Sequence, residues 1–166
     1  MMALTADGKI AKHSDHLADW TSPEDKKEFI QATKEAGVIV MGKKTFDTIG
    51  KPLPGRLNLI MALNPDKHKE LEIPGTLEFT NLPPKQIIEK MEKLGYKKII
   101  LGGGTTINSL FLKENLVDEL KLTIEPKIFG AGMNLFDKVD VDLNLELIEM
   151  KKLNENTINI HYKVIK

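Results

Sequence analysis

Short strand-forming runs alternate with helical segments along this 166-residue chain. That alternation constrains the fold more than any other feature. Val38-Ile39-Val40-Met41, Leu57–Met61 and Lys98–Leu101 read as strands, and Glu119–Glu125 reads as one with Leu120, Leu122 and Ile124 in alternation. Between them, Pro23–Ala36, Lys43–Ile49, Pro84–Leu94 and Thr105–Leu112 read as helices. The first is capped by Thr21 or Ser22, with Pro23 at its first position and acids in its first turn. Pro84–Leu94 gathers Ile87, Ile88, Met91 and Leu94 on one side. Met1–Thr5 opens the chain as a strand, and Ala6–Trp20 is polar and irregular. Leu143–Leu153 and Thr157–Ile165 form a closing hairpin around Asn154-Glu155-Asn156. Strand–helix alternation predicts an α/β fold: a mostly parallel central sheet, helices on both faces and a C-terminal antiparallel hairpin. The length predicts one domain over residues 1–166.

Composition narrows the function. Formal net charge is zero, which argues against nucleic acid or an anionic membrane as the main partner. The chain has no cysteine, so disulfides, thiolate metal sites and cysteine nucleophiles are excluded, and a reducing cytoplasm is the expected compartment. No apolar run approaches the roughly 20 residues of a membrane span, and Met1–Leu17 lacks the apolar core of a signal peptide. No nucleic-acid or membrane partner is therefore expected, and a monomer and a homodimer both stay open.

Parallel sheets bind ligands beyond the carboxyl ends of their strands, and the informative residues lie there. Ile99-Ile100-Leu101 runs into Gly102-Gly103-Gly104-Thr105-Thr106 and then a helix. Three glycines permit close backbone approach to a ligand, and the helix N-terminus offers free N–H groups to a phosphate. A plain tight turn has the same sequence requirements, and Ile107 replaces the last glycine of a dinucleotide fingerprint. Met41-Gly42-Lys43-Lys44-Thr45 repeats the theme with two cations and a hydroxyl; a pyrophosphate site and a solvated lysine pair both fit. Asp25 and Phe29 stand four apart and share a helix face entered from Trp20, the single tryptophan. Turned inward, Asp25 would be a desolvated carboxylate able to hold a heterocycle or assist protonation; turned outward, it would serve the helix dipole. Arg56, the single arginine, follows Pro52-Leu53-Pro54-Gly55. Its planar fork matches a carboxylate or phosphate in a way lysine cannot, although an ordinary surface arginine remains the alternative. His13, Asp15 and His16 read as a solvated loop, and no metal is expected.

Taken together these segments resemble the dihydrofolate reductase family and the related riboflavin-pathway reductase domains. Val40 through Arg56 is the most specific match, and Trp20–Phe29, Leu101–Gly104 and Leu122-Thr123-Ile124 are similar to family segments in spacing. Asp7–Ala11, Leu116–Leu120 and Pro126–Gly132 resemble the riboflavin-type reductases more closely. The resemblance implies the three-layer dihydrofolate reductase-like fold and NADPH-dependent reduction of 7,8-dihydrofolate; reduction of a phosphorylated ribosylamino-pyrimidine is the alternative. It assigns Asp25, Thr123 and Trp20 to catalysis, with the Thr123 hydroxyl orienting Asp25. It assigns Ala3, Phe29, Ile49, Arg56 and Leu101 to the substrate, Phe29 and Ile49 flanking the aminobenzoyl ring and Arg56 clamping the glutamate carboxylate. For NADPH it implies Ala3, Ile10, Gly42, Lys43, Lys44, Thr45, Leu101, Gly102, Gly103, Gly104 and Thr105. Ala6–Trp20 would be a mobile lid. Because Ala62-Leu63-Asn64 follows the strand ending at Met61, preference for NADPH over NADH rests on Lys43 and Lys44.

Overall fold

The computed structural model describes residues 1–166. Ten strands and four α-helices follow one another: β1 (Met2–Thr5), β2 (Lys9–Ala11), α1 (Pro23–Ala36), β3 (Val38–Gly42), α2 (Lys43–Ile49), β4 (Leu57–Met61), β5 (Leu77–Thr80), α3 (Pro84–Lys93), β6 (Ile100–Leu101), α4 (Thr105–Lys113), β7 (Glu119–Glu125), β8 (Met133–Asn134), β9 (Asn144–Lys152) and β10 (Ile158–Ile165). A 3₁₀ stretch, Pro65–Leu71, precedes β5.

One half of the sheet has the order β5-β4-β3-β6 and is parallel throughout. The other has the order β1-β7-β10-β9, parallel at β1·β7 and antiparallel in the C-terminal hairpin. They meet at the first and sixth strands, where the Met1 amino group donates to Leu101 O at 3.1 Å. β3 is central and apolar because both its faces are covered. Val38 and Val40 pack with Leu59, Ile87, Met91, Ile107 and Phe111, the side of α3 and α4. Ile39 and Met41 pack with Phe46, Ile60 and Phe79, the side of α1 and α2. Three layers follow from that alternation.

Local chemistry sets the helix ends. Ser22 Oγ accepts from Asp25 N at 3.2 Å, Pro23 opens α1, and Gly37 closes it at φ 75°. The expected helices are therefore present within a residue or so at their ends. The structure also contains short elements the sequence did not announce. β2, inside the segment read as irregular, pairs with β8, which lies in a stretch with no assigned element. β5 extends the parallel sheet from a stretch with no assigned element. Lys98 and Ile99 lie outside β6, which keeps only Ile100 and Leu101.

Candidate active site

The two glycine-bearing strand ends converge. Gly42 N donates to Gly103 O at 2.8 Å, and Gly102 N donates to Val40 O at 2.8 Å. A Cβ on Gly104 would stand 3.3 Å from Thr45 Oγ1, and one on Gly102 only 2.7 Å from Ile39 Cδ1. These positions have no room for side chains without movement of their neighbours. The Gly103–Gly104 peptide is cis. Gly42 and Gly104 are the N-caps of α2 and α4, and neither helix start has a side-chain cap. Their first-turn N–H groups are thus left for oxygens from outside the helices. Lys43 Nζ lies 2.5 Å from Asp47 Oδ1, one turn on, while Lys44 is exposed. The Thr105 hydroxyl is already spent on Asn134 O at 2.6 Å, so the helix start offers a ligand its backbone rather than that side chain.

Asp25 faces inward. It is buried on α1, and burial pushes its carboxyl above the usual range. The Thr123 and Thr21 hydroxyls pull the other way, the Glu125 carboxylate raises it further, and Lys26 lowers it. Thr123 is itself buried at the centre of β7, opposite Ala3 of β1 and Asn159 of β10. Asn159 Nδ2 donates to Thr123 Oγ1 at 2.9 Å, which leaves the threonine proton free to be donated to Asp25. Ala3 and Leu101 flank the seam between the two half-sheets, one beside Thr123 and the other beside the glycines.

Phe29, Ile49 and Leu53 are half-buried and pack along the edge of the cluster built on Ile39, Met41 and Phe46. They supply apolar wall. Arg56 differs from the free fork the sequence suggested: it is only 5% exposed. Its Nε and Nη2 donate to Pro54 O at 3.1 and 2.9 Å, and its Nη1 donates to Ile30 O at 3.5 Å and to Thr33 Oγ1. Four of five N–H groups thus meet protein acceptors, and one on Nη2 is left over. Burial lowers the guanidinium's pKa.

The Ala6–Trp20 segment is anchored at Phe129. The Asp7 carboxylate accepts from Phe129 N and Gly130 N at 3.2 and 2.8 Å. The Trp20 and His16 rings meet the Phe129 ring edge-on at 5.0 and 5.4 Å, and Lys12 Nζ lies 5.3 Å from its centre. Ile10 is half-buried on β2 within this segment. Two site-adjacent groups escaped the sequence reading. Glu125 is buried, and its carboxylate accepts from Ser22 N at 2.7 Å and from Thr157 Oγ1 at 3.1 Å, fixing the residue that caps α1. Asn159, 1% exposed, keeps one oxygen with no partner. The available signal was weak: Thr123 with Glu125, and Thr157 with Asn159, continue the same polar alternation that Glu119, Lys121, His161 and Lys163 follow along β7 and β10.

This geometry joins a buried carboxylate, an apolar wall and paired helix starts at one end of a parallel sheet. The family model for dihydrofolate reductase matches residues 1–165. The chain belongs to the dihydrofolate reductase family. It is 27% identical to the uncharacterized protein YyaP of Bacillus subtilis (strain 168), over 97% of this chain and 91% of that one. Two of the solved structures that share its fold bear on the site. One is the dihydrofolate reductase of Enterococcus faecalis complexed with NADP(H) and RAB-propyl (TM-score 0.72, 20% identity, 99% of this chain and 94% of that one). The other is the diaminohydroxyphosphoribosylaminopyrimidine deaminase/5-amino-6-(5-phosphoribosylamino)uracil reductase of Thermotoga maritima (TM-score 0.80, 16% identity), where 99% of this chain aligns with 55% of that one. Membership in the dihydrofolate reductase family makes the chain an oxidoreductase by family. No helix is long and apolar enough to cross a membrane.

Proposed function

We propose that this chain reduces 7,8-dihydrofolate to 5,6,7,8-tetrahydrofolate with NADPH. The observation that carries the reading is Asp25: a carboxylate buried on α1, raised in pKa by that burial, facing a threonine hydroxyl on β7. A carboxyl of raised pKa held in an apolar pocket is suited to assist protonation of a weakly basic heterocycle.

The residues at the strand ends fit a dinucleotide. Gly42, Gly102 and Gly104 leave no space for side chains, the starts of α2 and α4 are uncapped, and Lys43 and Lys44 bring positive charge. NADPH, when bound, supplies the hydride for C6 of the pterin. The chain does the rest. Asp25 holds the pterin's 2-amino group and N3, and favours protonation of N5 through water. Thr123, its hydroxyl directed by Asn159, orients that carboxylate. Phe29, Ile49 and Leu53 flank the aminobenzoyl ring, and the remaining Arg56 N–H meets the glutamate carboxylate. Ala6–Trp20 closes over the site and excludes water. Steady-state NADPH oxidation with dihydrofolate tests the reading; no turnover with that substrate overturns it.

One observation favours a second reading, reduction of a phosphorylated ribosylamino-pyrimidine. Arg56 is largely occupied by its own chain, which reduces what it can give a glutamate tail. That enzyme would oxidise NADPH with the pyrimidine and leave dihydrofolate untouched.

A further inference from the structure

The half-sheet β1-β7-β10-β9 has two faces of opposite chemistry. The face towards α1 is polar: Thr123, Glu125 and Asn159 lie there, and Glu28 of α1 bridges Lys121 Nζ at 3.2 Å and Lys151 Nζ at 2.8 Å. Side chains alternate along each strand, so the opposite face takes Leu122 and Ile124 of β7, Ile160 of β10, and Leu147 and Met150 of β9. The register sets Leu122 beside Ile160 and Ile160 beside Met150. Val164, on the same face, is buried in the cluster that includes α3 and α4. That cover does not reach β9, where Leu147 is 54% and Met150 63% exposed, with Leu145 and Ile148 exposed beside them. Lys152, at the end of β9, brings the one charge of β7, β9 and β10 to this face; Glu119, Lys121, Glu146, Glu149, Lys151, His161 and Lys163 alternate onto the other.

We propose that this apolar face is a homodimer interface, packed sheet-on-sheet against the same face of a second copy about a two-fold axis. Three features select a second copy. The first is area. The exposed β9 side chains present an apolar patch on the order of 400 Å², about half of the roughly 800 Å² that each partner buries in a standard interface, and the partly buried apolar residues of β7 and β10 border it. The second is charge. A two-fold contact sets a patch against itself; a face bearing one charge at its rim does so without like-charge cost, and the formal net charge of zero imposes no long-range repulsion between copies. The third is the edge. β9 ends the sheet and carries Glu146, Glu149, Lys151 and Lys152, charges that oppose edge-to-edge continuation and leave the face as the route to association. Sheets packed this way stand about 10 Å apart with interdigitated side chains.

Sedimentation equilibrium of the full chain at micromolar concentration should give twice the chain mass. The double substitution Leu147→Glu with Met150→Glu places charge where both side chains now face outward, so helix and strand content by circular dichroism should be retained. Its dimer dissociation constant should rise on the order of 100-fold or more. A monomeric wild type, or a folded double variant that remains dimeric, overturns the proposal. Peroxide oxidation of Met150 in the wild type gives a readout independent of variant folding. Oxidation should be several-fold slower at concentrations where the dimer predominates than at high dilution. Equal rates at both overturn the proposal.

Discussion

Arg56→Lys keeps the positive charge and removes the fork, so it separates two roles of one side chain. Within the protein, Arg56 donates to Pro54 O at 3.1 and 2.9 Å, to Ile30 O and to Thr33 Oγ1. A lysine ammonium, with all its donors on one atom, can keep part of that set at best. Losing about two charge-assisted bonds, partly offset by new ones, costs about 2–3 kcal/mol. For a chain of this size that lowers the melting temperature by roughly 4–12 °C. Towards substrate, the remaining Nη2 N–H meets a carboxylate in a contact of about 1.5–3 kcal/mol, so KM for dihydrofolate should rise by roughly 10- to 150-fold. The contact is made equally in ground and transition states, so kcat should change little. Scanning calorimetry reads the first effect. Steady-state kinetics with dihydrofolate, and with a dihydropterin lacking the glutamate tail, read the second. Only the tailed substrate should feel the change in KM. If both suffer alike, Arg56 is a structural strut and the clamp is wrong; if the melting temperature does not move, its buried bonds contribute nothing.

Asp25→Asn should lower kcat by on the order of 10²–10⁴-fold. It should also raise the melting temperature at neutral pH, because a carboxyl whose folded pKa lies above its unfolded one loses stability as pH rises through that pKa; a lower melting temperature would show that the charge is well solvated. In the wild type, kcat should fall with rising pH through the elevated Asp25 pKa, and that limb should vanish in the asparagine variant. Lys43→Ala should raise KM for NADPH more than for NADH, by several-fold only, since the ammonium is already engaged with Asp47; equal effects would show that it does not read the 2′-phosphate. Amide exchange across residues 6–20 should slow when cofactor and an antifolate bind together, and unchanged exchange would make the segment a passive loop.

The helices were legible because their ends are written in local chemistry. Ser22-Pro23 starts α1 and Gly37 ends it, and Gly42 and Gly50 bracket α2. β3 was legible as an uninterrupted apolar run, and β4 as a short apolar run broken only by Asn58. β5, a four-residue strand, and the two- and three-residue strands β8 and β2 were not, because such short pairings are decided by the neighbour across the ladder rather than by their own residues. In the site, the carboxylate on α1 and the glycine turns could be picked out from residue type and position. Glu125 and Asn159 could not, since an acid and an amide inside strands become buried only when Ser22, Thr157 and Thr123 arrive from elsewhere to bond them. Arg56 was visible as a residue but not as a contact: its uniqueness suggested a ligand, whereas Pro54, Ile30 and Thr33 claim most of its donors.

The most direct test of the account is the rate of NADPH oxidation by the purified full chain, measured in parallel with dihydrofolate and with the phosphorylated ribosylamino-pyrimidine. The account predicts turnover with dihydrofolate in the ordinary enzyme range of roughly 1–10³ s⁻¹, abolished by a methotrexate-like antifolate, and none with the pyrimidine. NADPH oxidation with the pyrimidine alone, or with neither substrate, would contradict it.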